Sequence, residues 1–128
     1  MKTEDVYKFE KIQGQLQGLY NEIGTLSKKT PNDPLNKFKL KFINQILISA
    51  NEFLDGKYKP FQGFEKFEDD ELPTNSDVTI ILEQYLTCLE NFRTDNVSTK
   101  DSAYGWFWLV DGKASNLKTT TPNKLKFT

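Results

Sequence analysis

Histidine is absent from the 128-residue chain, and Cys88 is its only cysteine. Those two shortages close off more chemistry than any motif present opens. Without an imidazole base there is no Ser–His or Cys–His nucleophile pair. Zinc sites draw mainly on His and Cys, and one thiol cannot build one. Imidazole switching near neutral pH is excluded as well. A lone cysteine closes no intramolecular disulfide, which suits a reducing cytosol and leads to the expectation of a cytoplasmic protein. Gly-rich phosphate loops and the nucleophile elbow are also missing: there is no GxxxxGK(S/T), no GxGxxG and no GxSxG.

Arginine is nearly missing. Arg93 stands against sixteen lysines, and with ten asparagines this skew points to AT-rich coding, as in many low-GC bacteria and their phages. No run approaches the ~18 apolar residues of a membrane span. The charged start, Met1-Lys2-Thr3-Glu4-Asp5, does not read as a signal peptide.

What is present fits one globular domain over residues 1–128, 37% hydrophobic and 13% aromatic, with a formal net charge of −1. The charge is polarised. Residues 61–95 carry nine acids against Lys66 and Arg93, a balance of −7, whereas residues 96–128 carry five lysines against Asp101 and Asp111, a balance of +3. Such polarity favours oriented docking on a charged partner.

The periodicity predicts three helices. Over about 3–26, Val6, Phe9, Ile12, Leu16, Leu19, Ile23 and Leu26 recur at steps of three or four, with Thr3 as the cap. Gly14 and Gly18 share a face there, and close packing of another helix or a bulky side chain is the expected reason. Over about 34–55, Asp33-Pro34 reads as cap and first-turn proline. Leu35, Phe38, Phe42, Ile43, Ile46, Leu47, Ala50, Phe53 and Leu54 then form the strongest apolar stripe, which Asp55-Gly56 ends. Lys37, Lys39 and Lys41 beside it read as a solvated face. Over about 75–94, Val78, Ile81, Leu82, Tyr85, Cys88, Leu89 and Phe92 mark the third stripe, after a cap among Thr74, Asn75 and Ser76. On that stripe Cys88 reads as a buried structural thiol.

Between the second and third helices lies a long connection, residues 57–73. Tyr58, Phe61, Phe64 and Phe67 recur every third residue, followed by Glu68-Asp69-Asp70-Glu71. The rings are expected to lie along the helices while the acids face water. An EF-hand order is missing, so the acids are no calcium loop. After a polar connection over 95–103, Tyr104 to Val110 reads as a strand, Asp111-Gly112 as a two-residue turn, and Lys113 to Thr120 as the return strand. Tyr104, Trp106, Trp108 and Val110 fall on one face of that strand, and Phe107 and Leu109 on the other.

The fold expected is mostly α: an antiparallel three-helix bundle with a long aromatic and acidic loop between helices 2 and 3 and a small C-terminal β-hairpin over about 104–120. The function class that fits the missing catalytic vocabulary is a non-enzymatic protein-binding module. An immunity, inhibitor or antitoxin protein, or a small accessory subunit of a bacterial or phage effector complex, would be of this kind. No metal, cofactor or membrane is called for, and the partner is another protein, one with a basic surface suiting the acids. The candidate contact residues are Glu65, Glu68, Asp69, Asp70, Glu71, Trp106, Phe107, Trp108 and Leu109. A structural subunit that self-associates through the hairpin is the alternative, so a homo-oligomer stays open. A single-stranded nucleic-acid platform, using the aromatics with Lys113, Lys118, Lys124 and Lys126, is disfavoured. There is almost no arginine, and the acidic loop repels a polyanion. An enzyme working with carboxylates and lysines ranks with it.

Overall fold

A computed structural model describes residues 1–99 and 105–122. Within them the protein is mostly helical, with α1 over Thr3–Lys29, α2 over Lys37–Leu54 and α3 over Asn75–Asp95. A single 3-10 turn, Gly56–Tyr58, follows α2. Strands β1 (Val97–Ser98), β2 (Trp106–Val110) and β3 (Lys113–Thr119) form an antiparallel sheet in that order, with β2 central. Tyr104, the first residue of the expected strand, lies outside those described, as do Lys124 and Lys126.

Each helix starts on a polar device. In α1 the Asp5 carboxylate accepts from the Lys2 N–H at 2.9 Å. The cap position is therefore Lys2, and Thr3 is already helical: an acid reaching back from the first turn replaces the expected threonine cap. In α2 the Asn36 side chain accepts from the N–H groups of Phe38 (2.7 Å) and Lys39 (3.3 Å). Asp33-Pro34 does not open this helix. Pro34 instead sits in an isolated antiparallel bridge with Thr74. Proline has no N–H to give, so its neighbours make the bonds: Leu35 N–H donates to the Pro73 carbonyl, and Asn75 N–H to that of Asp33. In α3 the Thr74 hydroxyl oxygen accepts from the Asp77 N–H, as expected of that residue type.

The core draws Phe9, Leu16 and Ile23 from α1, Ile43, Leu47 and Ala50 from α2, and Val78, Leu82, Tyr85 and Leu89 from α3, all fully buried. α1 packs more extensively on α3 than on α2. Asn75, itself buried, donates to the Thr30 carbonyl at 2.9 Å, tying the end of α1 to the start of α3.

Two expectations about helix faces fail. Phe38 and Phe42 lie outside the core, because Phe38 is nine positions from Leu47, about two and a half turns, and so points to the other side of α2. Gly14 and Gly18 are exposed, and a Cβ added at either would meet nothing within 4 Å, so no helix packs closely there.

The hairpin expectation is corrected to three strands. Val97 and Ser98, within the stretch read as polar connection, pair with Trp108 and Phe107. Two residues are too short to show a period of two, so β1 left no pattern in the sequence. Asp111 and Gly112, at φ 52° and 78°, turn the chain between β2 and β3. The sheet rests on the helices through Trp108, which is fully buried with its ring edge-on to Phe9 at 4.8 Å. Its indole N–H donates to the Glu10 Oε1 at 3.2 Å. Arg93, the single arginine, is buried behind it. Its Nη1 donates to Glu90 (2.7 Å) and the Thr120 hydroxyl (2.8 Å), and its guanidinium lies over the Phe9 ring.

Candidate functional site

The connection after α2 is held in place by asparagines on that helix. The Asn44 side chain both donates to the Phe67 carbonyl (3.0 Å) and accepts from the Phe67 N–H (2.9 Å), as a strand neighbour would. One helical repeat of seven along, Asn51 Nδ2 donates to the Glu65 carbonyl at 2.9 Å, while its Oδ1 accepts from the Tyr85 hydroxyl at 2.7 Å. Both asparagines are buried. Together they satisfy backbone groups that a loop laid on a core would otherwise leave unpaired. Tyr58, Phe61, Phe64 and Phe67 are half-buried against the core, in edge contacts such as Phe64–Phe67 at 5.4 Å and Tyr58–Phe92 at 5.2 Å.

Glu65, Glu68, Asp69, Asp70 and Glu71 are all exposed, the arrangement the aromatic spacing implied. Glu65 is paired with Lys59, and Asp69 lies 3.9 Å from Lys66. Among the described residues no ion pair reaches Glu68, Asp70 or Glu71, and no three His, Cys, Asp or Glu side chains are grouped to hold a metal ion.

The sheet divides the remaining candidates. Trp108 is in the core, which takes it out of any contact surface, and Trp106 is half-buried against the same core. Phe107 and Leu109 lie on the other face of β2 and are half-buried too. The structure thus ties Glu65 and Asp69 to α2 through Asn51 and Asn44, turns Glu68 and Glu71 towards the groove they share with Thr74 and Asp77, and leaves the sheet residues as a separate group, bound to α1 through Trp108.

A third surface was missed from sequence. Phe38 and Phe42 are 69% and 42% exposed, their rings edge-to-face at 4.9 Å, and Ile48, further along the same helix, is 41% exposed. Lys37 and Lys41 are exposed next to these rings, while Lys39 turns towards α1 to pair with Glu22 at 3.0 Å. A groove of about 530 Å³ separates this side of α2 from the acidic segment, with Leu40, Ile48, Lys37, Lys41, Lys66 and Asp69 in its lining. A helical wheel centred on Leu47 would have found the pair, because Phe38 and Phe42 fall outside the arc that Ile43, Ala50 and Leu54 share.

Cys88 is half-buried rather than buried, and loss of solvent pushes its thiol up. Tyr58 is raised to about 12, first by burial and then by its hydrogen bond to Asp95, whose carboxylate accepts at 2.6 Å. Burial also raises Tyr85 to about 12, against the opposing effect of its bond to Asn51. All three keep their protons at neutral pH, so none is a ready nucleophile or base.

No protein-family model, no curated protein and no solved structure matches the chain. No helix among the described residues is long and apolar enough to cross a membrane.

Proposed function

We propose that the chain is a non-enzymatic protein-binding module of a bacterial or phage cytoplasm, of the kind that neutralises or caps an effector: an immunity, inhibitor or antitoxin protein, or a small accessory subunit. In this reading the three helices pack as an antiparallel bundle in one domain, and the outer side of α2 meets the partner. The observation that carries it is the exposed Phe38–Phe42 pair, 69% and 42% open to solvent on a helix whose opposite side is fully in the core. Large aromatics cost free energy in water, and clusters of them with flanking charge mark surfaces that become covered.

The test is affinity capture from the source cells with the wild-type chain and with Phe38→Asp/Phe42→Asp. A stoichiometric protein complex that the double variant loses supports the reading, since hot-spot aromatics are worth about 2 kcal/mol or more. An unchanged complex in the double variant, or multiple turnover of a small molecule by the pure chain, removes it.

A further inference from the structure

Over its first two turns the solvent side of α2 carries lysines and no acid, with Glu52 exposed near its far end. The positive end of the helix dipole lies among lysines 37, 39 and 41. Of these only Lys39 has an ion-pair partner among the described residues, which leaves Lys37 and Lys41 open beside Phe38 and Phe42. Positions 38, 41, 42, 45 and 48 form one stripe about three turns long, or ~15 Å.

We propose that this stripe receives an amphipathic helix of another protein, whose apolar residues cover Phe38, Phe42 and Ile48 and whose acidic residues reach Lys37 and Lys41. The inference rests on the reading of the chain as a protein-binding module and adds the chemistry of its partner. The patch is of a size that one helix covers: a whole aromatic side chain covers roughly 200 Å², and the two rings are 69% and 42% exposed along one side of a helix, the setting of helix-in-groove recognition. Charge favours protein over lipid. The groove beside the stripe brings Asp69 next to Lys37, Lys41 and Lys66, and the exposed Glu68, Asp70 and Glu71 adjoin it in the chain. An anionic membrane surface would meet those acids as well as the lysines, whereas a helix can confine its acids to the edge that faces Lys37 and Lys41.

Selection from a displayed random library of peptides about 16 residues long, ~24 Å as a helix, reads the partner chemistry directly. The expected winners carry apolar residues at steps of three and four and a net negative charge. They bind Lys37→Glu/Lys41→Glu at least tenfold more weakly than wild type, and lose affinity as salt is raised. They bind Phe38→Asp/Phe42→Asp at least tenfold more weakly too. All four side chains are exposed, so each variant is compared at an unchanged thermal midpoint. Neutral or basic winners, or winners indifferent to the lysine reversals, overturn the acidic helix alone. Winners indifferent to the phenylalanine changes, or no winners at all, overturn the protein-binding face as well. Sedimentation of the chain with vesicles of equal phosphatidylserine and phosphatidylcholine would hand the stripe to lipid. A dimer that disappears in Phe38→Asp/Phe42→Asp would hand it to a second copy.

Discussion

The 57–73 connection and the C-terminal sheet both press aromatic rings onto the helices, yet they are anchored by opposite means. The connection is pinned by polar clamps, with Asn44 and Asn51 binding the backbone of Phe67 and Glu65, and its rings are only half-buried. The sheet is pinned chiefly by one fully buried indole, Trp108, set against Phe9, with side-chain bonds from Trp108 to Glu10 and from Arg93 to Thr120 beside it. The difference follows from where backbone hydrogen bonds go. A sheet satisfies most of its own N–H and C=O groups through its ladder, so an apolar foot can carry most of its anchoring. An irregular segment laid on a core has no ladder, so the surface beneath must supply donors and acceptors.

The sharpest way to break this comparison is at the indole. Trp108→Ala should cost about 3–5 kcal/mol in urea unfolding, the usual range for emptying a buried aromatic site. A loss under about 1 kcal/mol would mean that the sheet is held elsewhere, for instance by the Asp111 N–H donating to the Met1 carbonyl. Next in size, Asn51→Ala should cost about 1–3 kcal/mol, because the Tyr85 hydroxyl and the Glu65 carbonyl both lose their partner. Limited proteolysis should then open the 57–73 segment first and leave the sheet intact. Cleavage in the sheet instead would erase the distinction between the two anchors.

Alkaline pH should sharpen the contrast. Tyr58 and Tyr85 are raised from the ordinary 10 to about 12 in the folded chain. The unfolded chain therefore loses those protons first. The stability they contribute is complete below pH 10 and falls as pH rises towards 12. Both tyrosines serve the connection, Tyr85 through Asn51 and Tyr58 as one of its own rings. Thermal midpoints between pH 9 and 12 should thus decline less steeply in Tyr85→Phe than in wild type, and parallel curves would argue against this account. The smallest effect is expected on ground that neither region touches. Gly14→Ala and Gly18→Ala should each raise stability by up to about 1 kcal/mol, since the added methyl meets nothing and the helix gains propensity. Destabilisation at either site would place a contact there.

The three helices were legible because their stripes are long: Val6 to Ile23 and Val78 to Leu89 repeat often enough to show a helical period. The connection's outward acids and inward rings were legible from the threefold spacing of Tyr58, Phe61, Phe64 and Phe67. Position on the wheel was less so. Phe38 and Phe42 are as hydrophobic as any core residue, and their type led to their being placed inside, when only the angle to Leu47 puts them out. The clamps at Asn44 and Asn51 had a visible trace in their spacing of seven along the apolar stripe, a pattern that hydrophobicity alone passes over.

By itself, then, the order of residues determined the local matters: where helices run, where Asp111-Gly112 turns, and which catalytic groups the chain does not possess. Tertiary structure alone decided that Pro34 pairs with Thr74 rather than opening a helix, that Val97 and Ser98 become a strand, and that Trp108 is a foot instead of a contact. Each of these depends on a partner distant in sequence. A local pattern encodes what a segment can form, but only the assembled surfaces settle which of its groups find partners and which are left facing water.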